Sequence, residues 1–197
     1  MEKIVNRDYF RISANDLAIK LLGNYLCREI SGKLIKTKIV ETEAYMGEFD
    51  KASHASTKNK TERNSILYMD GGHVYIYLIY GKYYCFNIVA NRKRKPESVF
   101  IRAVEPVEGL ETIKKNRKNI HKEIELTNGP GKLSMALELD KEFNKKDLTN
   151  NKYLWLEKKS NKNFKIKRDR RVNIDYAEEF KNKKWRFYIM NNRFVSN

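Results

Sequence analysis

The sequence predicts an α+β fold with a mainly antiparallel sheet, flanking helices and a protruding β-hairpin. Segments rich in β-branched and aromatic residues outnumber helical segments in the first half of the chain. Short turns separate neighbouring strand segments, as antiparallel hairpins require. Helices and strands are interleaved without a regular alternation, which favours α+β over a parallel α/β fold. At 197 residues the chain suits one domain, and we expect a single domain over residues 1–197.

The predicted elements follow from periodicity and from start and stop residues. Ser13 and Asp16 form a capping pair and Gly23 is a stop signal, which predicts the first helix. Tyr80-Gly81-Lys82 predicts a tight hairpin turn between two aromatic strands. The predicted helices are residues 13–22, residues 106–121 and a helix that contains Leu133 and Leu137. The predicted strands are Tyr25–Ile30, Lys33–Tyr45, Val74–Ile79 and residues 83–89, 98–104, 172–174 and 185–190.

Two polar stretches are predicted to lack regular structure. Residues 47–63 read as a loop, with room for a short helix, that carries His54. Residues 158–171 hold eight basic residues against one acid, Asp169, and predict an exposed run that either faces DNA or is a solvated linker.

The charge balance indicates an acidic partner. The chain has 41 Lys and Arg against 25 Asp and Glu, a net charge of +16. Such an excess attracts polyanions and accelerates their encounter with the protein, which favours a nucleic acid as partner. The alternative is a lysine-rich surface that reflects genome composition, which the many Asn and Ile residues also suggest.

Cysteine usage and hydropathy exclude several classes of protein. Cys27 and Cys85 lie in apolar segments without metal-binding spacing, which indicates buried thiols rather than a disulfide framework or a zinc site. The N-terminus lacks the apolar stretch of a signal peptide, and no segment is long enough to span a bilayer. We therefore expect an intracellular protein that does not act at a membrane.

Acidic side chains in the second strand are candidates for catalysis. Alternation places Ile39, Glu41, Glu43 and Tyr45 on one face, where acids beside an aromatic ring make a poor core. The two carboxylates could bind a divalent metal, with Asp50 and His54 completing its ligands. One of them could instead act as a general base toward water, or both could be surface acids paired with lysines. The spacing leaves these alternatives open.

Aromatic residues suggest a binding slot and a wedge. Tyr45, His54 and Tyr77 together make a plausible slot for a planar base, although each alone is more typical of packing or of a solvated loop. Tyr80, beside Gly81 at the hairpin tip, is costly to expose unless it wedges between base pairs, contacts a second copy, or packs under residues 47–63.

A charged residue in a strand also calls for a partner. Arg102 lies between apolar residues of the predicted strand 98–104, where an acid such as Glu43 would balance its charge. The alternative is an edge-strand arginine that faces water.

Five strings, in this order, resemble the alkyladenine (3-methyladenine) DNA glycosylase family. They are IVETEAYMG…ASH, HVYIYLIYGKYYCFNIV, IRAVEPVEGLE, NGPGKLSMAL and RFYI. The resemblance extends from the N-terminal segment DYF…LAIKLLGNYL to the last strand and so covers nearly the whole chain. It implies a curved sheet, a monomer and a partner that is double-stranded DNA containing damaged purines, with no cofactor and no metal.

The resemblance also implies a role for each site residue. Glu43 would deprotonate the water that attacks the sugar C1′, and Arg102 would lie beside that water. Tyr45, His54 and Tyr77 would sandwich the extruded base. Asn87 would line the pocket floor and disfavour guanine, and Tyr80 would fill the gap in the base stack. Release of alkylated purines, with hypoxanthine as a further candidate, and no strand cleavage are the implied activity.

One late segment departs from the family pattern. Asn173 and Asp175 stand where glycines are usual, in a stretch whose backbone borders the catalytic water in the family, with Ile174 as its candidate residue. Two other functions compete with the glycosylase: a non-catalytic nucleic-acid binding module, and a metal-dependent nuclease built on the acids and His54.

Overall fold

Strand-forming segments assemble into one antiparallel sheet. The structure is a computed structural model that describes residues 2–57, 60–159 and 162–196. The strands are β1 Glu2–Lys3, β2 Tyr25–Ile30, β3 Lys33–Tyr45, β4 Val74–Ile79, β5 Tyr83–Ala90, β6 Glu97–Glu108, β7 Leu154–Lys158, β8 Ile166–Asp169 and β9 Arg186–Ile189. Their order is β1-β7-β2-β3-β6-β5-β4, and β9 joins β3 to β8. The predicted α+β class with an antiparallel sheet is confirmed.

Over the described residues, three α-helices cover the sheet. They are α1 Ala14–Leu21, α2 Leu110–Asn116 and α3 Pro130–Ala136. The predicted capping pair starts α1, since the Ser13 side chain accepts a hydrogen bond from the Asp16 N–H at 3.1 Å. Helix α1 packs on β3 and β6 and buries Leu17 and Leu21 there, while α3 packs on β5 and β6. Short 3-10 helices occupy Arg7–Tyr9, Gly47–Phe49, Ser65–Tyr68, Glu123–Leu126, Lys141–Phe143 and Glu178–Asn182.

The long pair β3 and β6 is interrupted at its centre by register irregularities. Glu41 pairs with Ala103 and Thr42 with Ile101, so Arg102 of β6 has no partner in this register. Val40 of β3 is skipped in the same way between Ile39 and Glu41. Such bulges re-aim side chains and are frequent beside active sites. Here they place Arg102 against the acids of β3, while Ile39 joins the hydrophobic core.

The predicted second helix was wrong at its start. Pro106 still pairs with Thr37 inside β6, which continues to Glu108. Gly109 then turns the chain with φ 80°, and a Cβ there would lie 2.5 Å from the Leu34 carbonyl oxygen. The helix therefore begins at Leu110 and ends at Asn116 instead of running over residues 106–121.

Two predictions for the C-terminal part were also wrong. Residues 172–174 do not form a strand, because Asn173 has φ 58° and the Val172 N–H is used by a side chain of β3. Within the basic run 158–171, Lys158 ends β7 and Ile166–Asp169 is strand β8, and Arg171 is buried. Ser160 and Asn161 of that run, and Lys58 and Asn59 of the loop 47–63, lie outside the described residues.

The remaining global expectations concern thiols and hydropathy. Cys27 and Cys85 are free and buried, as predicted. Across the described ranges no helix has the length and apolar character required to cross a membrane.

Candidate active site

A cavity opens between the sheet and the segments that cross its end. Strands β3, β4, β5 and β6 contribute its wall and floor, and the loop after β3 and the turn at Tyr176 contribute its rim. Its lining residues are Tyr45, Ala52, Ser53, His54, Leu67, Tyr75, Tyr77, Asn87, Ser98 and Tyr176. The four pocket residues named from the sequence, Tyr45, His54, Tyr77 and Asn87, are thus brought together.

The aromatic side chains of one cavity wall are held by contacts with one another. The His54 and Tyr77 rings meet edge to face with centroids 4.6 Å apart. The His54 Nδ1 and the Tyr75 hydroxyl share a hydrogen bond of 2.7 Å. Burial, and then the charge of Arg63, lower the pKa of His54 to about 4, so its imidazole is neutral at physiological pH.

Asn87 is fixed in the floor of the cavity by backbone groups. Its side-chain nitrogen donates to the carbonyls of Tyr75 and Cys85, both at 3.2 Å. The side chain is buried, with 2% exposed. Both amide protons are therefore used, and the oxygen is the polar atom of Asn87 that is left to meet a ligand.

Glu43 lies behind the cavity and is connected to it by Tyr45. The Tyr45 hydroxyl donates to Glu43 Oε2 at 3.1 Å. The Val172 N–H donates to Oε1 at 2.8 Å, and Arg102 Nη1 lies 3.5 Å from the same oxygen. Burial raises the pKa of the Glu43 carboxyl, while Arg102 and the Val172 N–H oppose this rise. A buried carboxylate with a raised pKa beside an aromatic cavity is a candidate general base.

Glu41 has a different, structural role. Its Oε1 accepts hydrogen bonds from Arg102 Nε at 3.1 Å, Arg186 Nε at 2.6 Å and Ser196 Oγ at 3.0 Å. Its Oε2 accepts from the Ser196 N–H at 2.7 Å. Glu41 therefore anchors the C-terminal segment and orients Arg102 toward Glu43. The spacing of the two acids did not reveal that Glu41 and Glu43 have different roles.

The sequence did not identify a buried ion pair that closes the site. Arg171 donates to both oxygens of Asp50, at 2.6 and 2.8 Å, and both side chains are fully buried. The Arg171 guanidinium also lies 4.7 Å from the centre of the Tyr45 ring. This ion pair links the loop after β3 to the segment that contains Val172, whose N–H donates to Glu43. Its signal was hidden because Arg171 ends a run of exposed basic residues.

The geometry contradicts the metal-site alternative. Glu41 is occupied by two arginines and Asp50 by Arg171, and His54 lies in the aromatic wall. In the described part of the chain no three His, Cys, Asp or Glu side chains are placed to hold one metal ion. The alternative was wrong because strand spacing does not reveal which carboxylates meet arginines across the sheet.

Tyr80 lies at the tip of the β4–β5 hairpin, with 86% of its surface exposed. The turn is closed by a bond of 3.1 Å from the Lys82 N–H to the Ile79 carbonyl, and Tyr80 and Gly81 have φ 52° and 63°. A bulky residue at positive φ is uncommon and concentrates at functional positions. Exposure of the ring contradicts the alternative that it packs under residues 47–63.

The Val172 backbone, rather than Ile174, makes the contact with the catalytic carboxyl candidate. Ile174 is buried in a cluster with Ala52 and Ala177, and Tyr45 packs against this cluster. Asn173 adopts φ 58°, a conformation that glycine takes freely and that asparagine tolerates better than other residues. Asn173 therefore preserves the conformation of this turn, although glycine is usual at this position in the family.

Comparison with known proteins shows the family to which the chain belongs. The family model for methylpurine-DNA glycosylase matches residues 8–193. The chain belongs to the methylpurine-DNA glycosylase family. It is therefore a hydrolase of N-glycosyl bonds that acts in base-excision repair of DNA.

Curated relatives agree with this membership. A protein of Natranaerobius thermophilus is 47% identical over 191 residues, with 96% of each chain covered. Proteins of Clostridioides difficile and Borrelia garinii are each 45% identical, covering 94% and 98% of this chain and 100% and 99% of their own. Each carries 3-methyladenine DNA glycosylase as a provisional name. The resemblance identified from the sequence motifs is confirmed.

Proposed function

We propose that this methylpurine-DNA glycosylase extrudes alkylated purines from double-stranded DNA and cleaves the N-glycosidic bond with a water that Glu43 activates. The observation that carries the proposal is the connection of a buried carboxylate to an aromatic cavity through Tyr45, whose hydroxyl bonds Glu43 at 3.1 Å. The product is the free base and an abasic site, formed without cofactor and without strand cleavage.

The cavity walls suit a flat base. Tyr45 of β3, Tyr77 of β4 and His54 of the loop after β3 supply rings for stacking, which tolerates different purines because every base has a π-face. Neutral His54 adds no charge against a cationic alkylated purine. Two backbone carbonyls hold the Asn87 amide in place at the floor, so it cannot move aside to make room for the exocyclic amine of guanine; this supports its proposed role in disfavouring guanine.

Glu43 and Arg102 suit the hydrolytic step. The bond from C1′ to the base nitrogen breaks with its electrons on the base, and positive charge develops on the sugar. A nearby carboxylate stabilises that charge and takes a proton from the water whose oxygen bonds C1′. Arg102 supports the ionised form of Glu43 and is itself held by Glu41.

Alkylated purines that carry a positive charge leave as neutral bases and need little acid assistance. Hypoxanthine is a neutral base, so the nitrogen that leaves C1′ must take up a proton, which the hydrolytic water supplies overall. We include it as a second substrate because the cavity wall is neutral at His54 and does not demand a cationic base.

The hairpin and the charge suit a duplex substrate. Extrusion of a nucleotide costs a few kcal/mol, and this cost is lowest at damaged or mispaired bases. Tyr80, exposed on a rigid turn, would fill the gap left in the stack. The net charge of +16 supports attraction to the phosphate backbone. We propose that the enzyme acts as a monomer.

The test is base release in EDTA from three sequence-matched duplexes that contain 3-methyladenine, hypoxanthine or no lesion. We expect free base and alkali-labile sites from the first duplex, without strand breaks before alkali treatment. Release from the second duplex would add hypoxanthine to the substrates. Tight binding with no release from any duplex would favour the non-catalytic binding module, and strand breaks before alkali treatment would contradict monofunctional chemistry.

A further inference from the structure

Tyr176 places a large aromatic ring at the rim of the cavity. It lines the cavity together with Tyr45 and Tyr77, yet 70% of its surface is exposed. Single exposed apolar residues are common and need no explanation by themselves. What distinguishes Tyr176 from Tyr153, which is 50% exposed and lies outside this cavity, is its position at the opening through which a base would enter.

The ring is presented by a turn that is fixed on both sides. On one side Arg171 is held in the buried pair with Asp50, and the Val172 N–H bonds Glu43. On the other side the Ala177 N–H bonds the Ile174 carbonyl at 2.9 Å, and both residues are buried. A side chain on such a turn is pre-organised, so contact with a ligand costs little ordering of the backbone.

The electrostatic surroundings agree with this position. Partial burial raises the pKa of the Tyr176 hydroxyl, and the charges of Arg171, Asp50 and Glu43 all act on it. Tyr176 takes no part in the hydrogen bonds of Glu43 among the described residues, so what places it at the site is its position on the cavity.

We infer that Tyr176 is a second aromatic contact for the extruded nucleotide: its ring covers the outer edge of the purine once the base has entered the cavity. This inference rests on the proposed function. Tyr80 would act on the duplex that the nucleotide leaves, whereas Tyr176 acts on the nucleotide itself. Tyr176 retains the damaged base in the cavity and takes no part in bond cleavage.

The test measures lesion-specific binding separately from chemistry. In a Glu43→Gln background, dissociation constants are measured for a duplex with the lesion that the wild-type protein releases and for the matched undamaged duplex. We expect Tyr176→Ala to weaken lesion binding by about 5- to 150-fold, the range of a lost base–aromatic contact. Undamaged-duplex binding and melting temperature should not change. Tyr176→Phe should retain binding, and Tyr153→Ala is the matched control.

Each other outcome overturns the inference. An equal loss of affinity for both duplexes would make Tyr176 a general DNA contact. Unchanged lesion binding would make it a solvated turn residue. If the wild-type protein releases base and Tyr176→Ala binds normally, only this inference fails. If the wild-type protein neither releases base nor prefers the lesion, the proposed function fails with it.

Discussion

Replacement of Asp50 by asparagine should destabilise the fold strongly, although the two side chains are nearly equal in size. The two Asp50 oxygens accept four hydrogen bonds, two from Arg171 and one each from the Met46 and Ala52 N–H groups. Each oxygen receives two of these donors. Whichever oxygen becomes NH₂ in the Asp50→Asn variant, the new donor faces existing donors.

The cost follows from the charge that remains. Arg171 is fully buried, and its Nε already lacks a hydrogen-bond partner among the described residues. Without the Asp50 carboxylate, the remaining acceptor for its guanidinium is the Ala44 carbonyl at 3.0 Å. Removal of one partner from a buried pair typically costs about 3–5 kcal/mol, because an uncompensated charge stays buried. For a chain of this size, that corresponds to a fall in melting temperature of about 6–20 °C.

The assay is urea unfolding of the wild-type protein, Asp50→Asn and Lys51→Gln. Lys51 and Glu178 form an exposed ion pair between the same two segments, with 44% and 64% of the side chains exposed. Exposed pairs contribute about 0–1 kcal/mol, so Lys51→Gln is the matched control. A cost for Asp50→Asn no greater than that of Lys51→Gln would refute the argument. The apolar double variant Asp50→Leu/Arg171→Met should recover part of the loss, since it removes both charges.

Three further predictions concern single side chains. Arg102 opposes the rise in the pKa of Glu43, so Arg102→Met should raise that pKa further. The acid limb of the single-turnover pH–rate profile should then move to higher pH, and an unmoved limb would contradict the prediction. Since Asn173 has φ 58°, Asn173→Val should lower the free energy of unfolding by about 1–3 kcal/mol, whereas Asn173→Gly should not lower it. Urea unfolding measures both variants, and equal effects would contradict this prediction. Tyr80→Ala should weaken binding to a damaged duplex while the melting temperature stays the same, and a fall in stability alone would make Tyr80 a packing residue.

Local signals in the sequence predicted much of the sheet. Strands β2, β3 and β4 lie where alternation and turn residues placed them, and Ser13 caps α1 as its spacing predicted. The short edge strand β1 and the strands β7 and β8 were missed. The partner of β1 is β7, at the other end of the chain, and neither β1 nor β8 carries enough apolar alternation to predict a strand.

Tertiary contacts decided the elements that sequence reasoning placed wrongly. Pro106 suggested the start of a helix, but its pairing with Thr37 keeps it in β6. Arg171 belongs to a basic run, yet Asp50 draws it into the interior. The pattern of charges along the chain does not reveal such a partner.

The site was predicted mainly through its resemblance to a family. That resemblance pointed to Glu43, Tyr45 and the hairpin, whereas spacing alone left metal binding and general-base catalysis open. The structural role of Glu41 depends on Arg186 and Ser196, more than 140 positions further along the chain. The bulge that turns Arg102 toward Glu43 could not be predicted either, since a bulge depends on the register of two strands.

The central claim is that Glu43 activates the water, and single-turnover base release by Glu43→Gln tests it most directly. Burial raises the pKa of Glu43, so its ionised form costs stability as pH rises through that pKa. The neutral glutamine should therefore leave the melting temperature at neutral pH equal or higher. With enzyme in excess over a duplex that contains 3-methyladenine, we expect normal duplex binding and a base-release rate lowered by at least about 100-fold. A folded Glu43→Gln variant that releases base at the wild-type rate would contradict the mechanism.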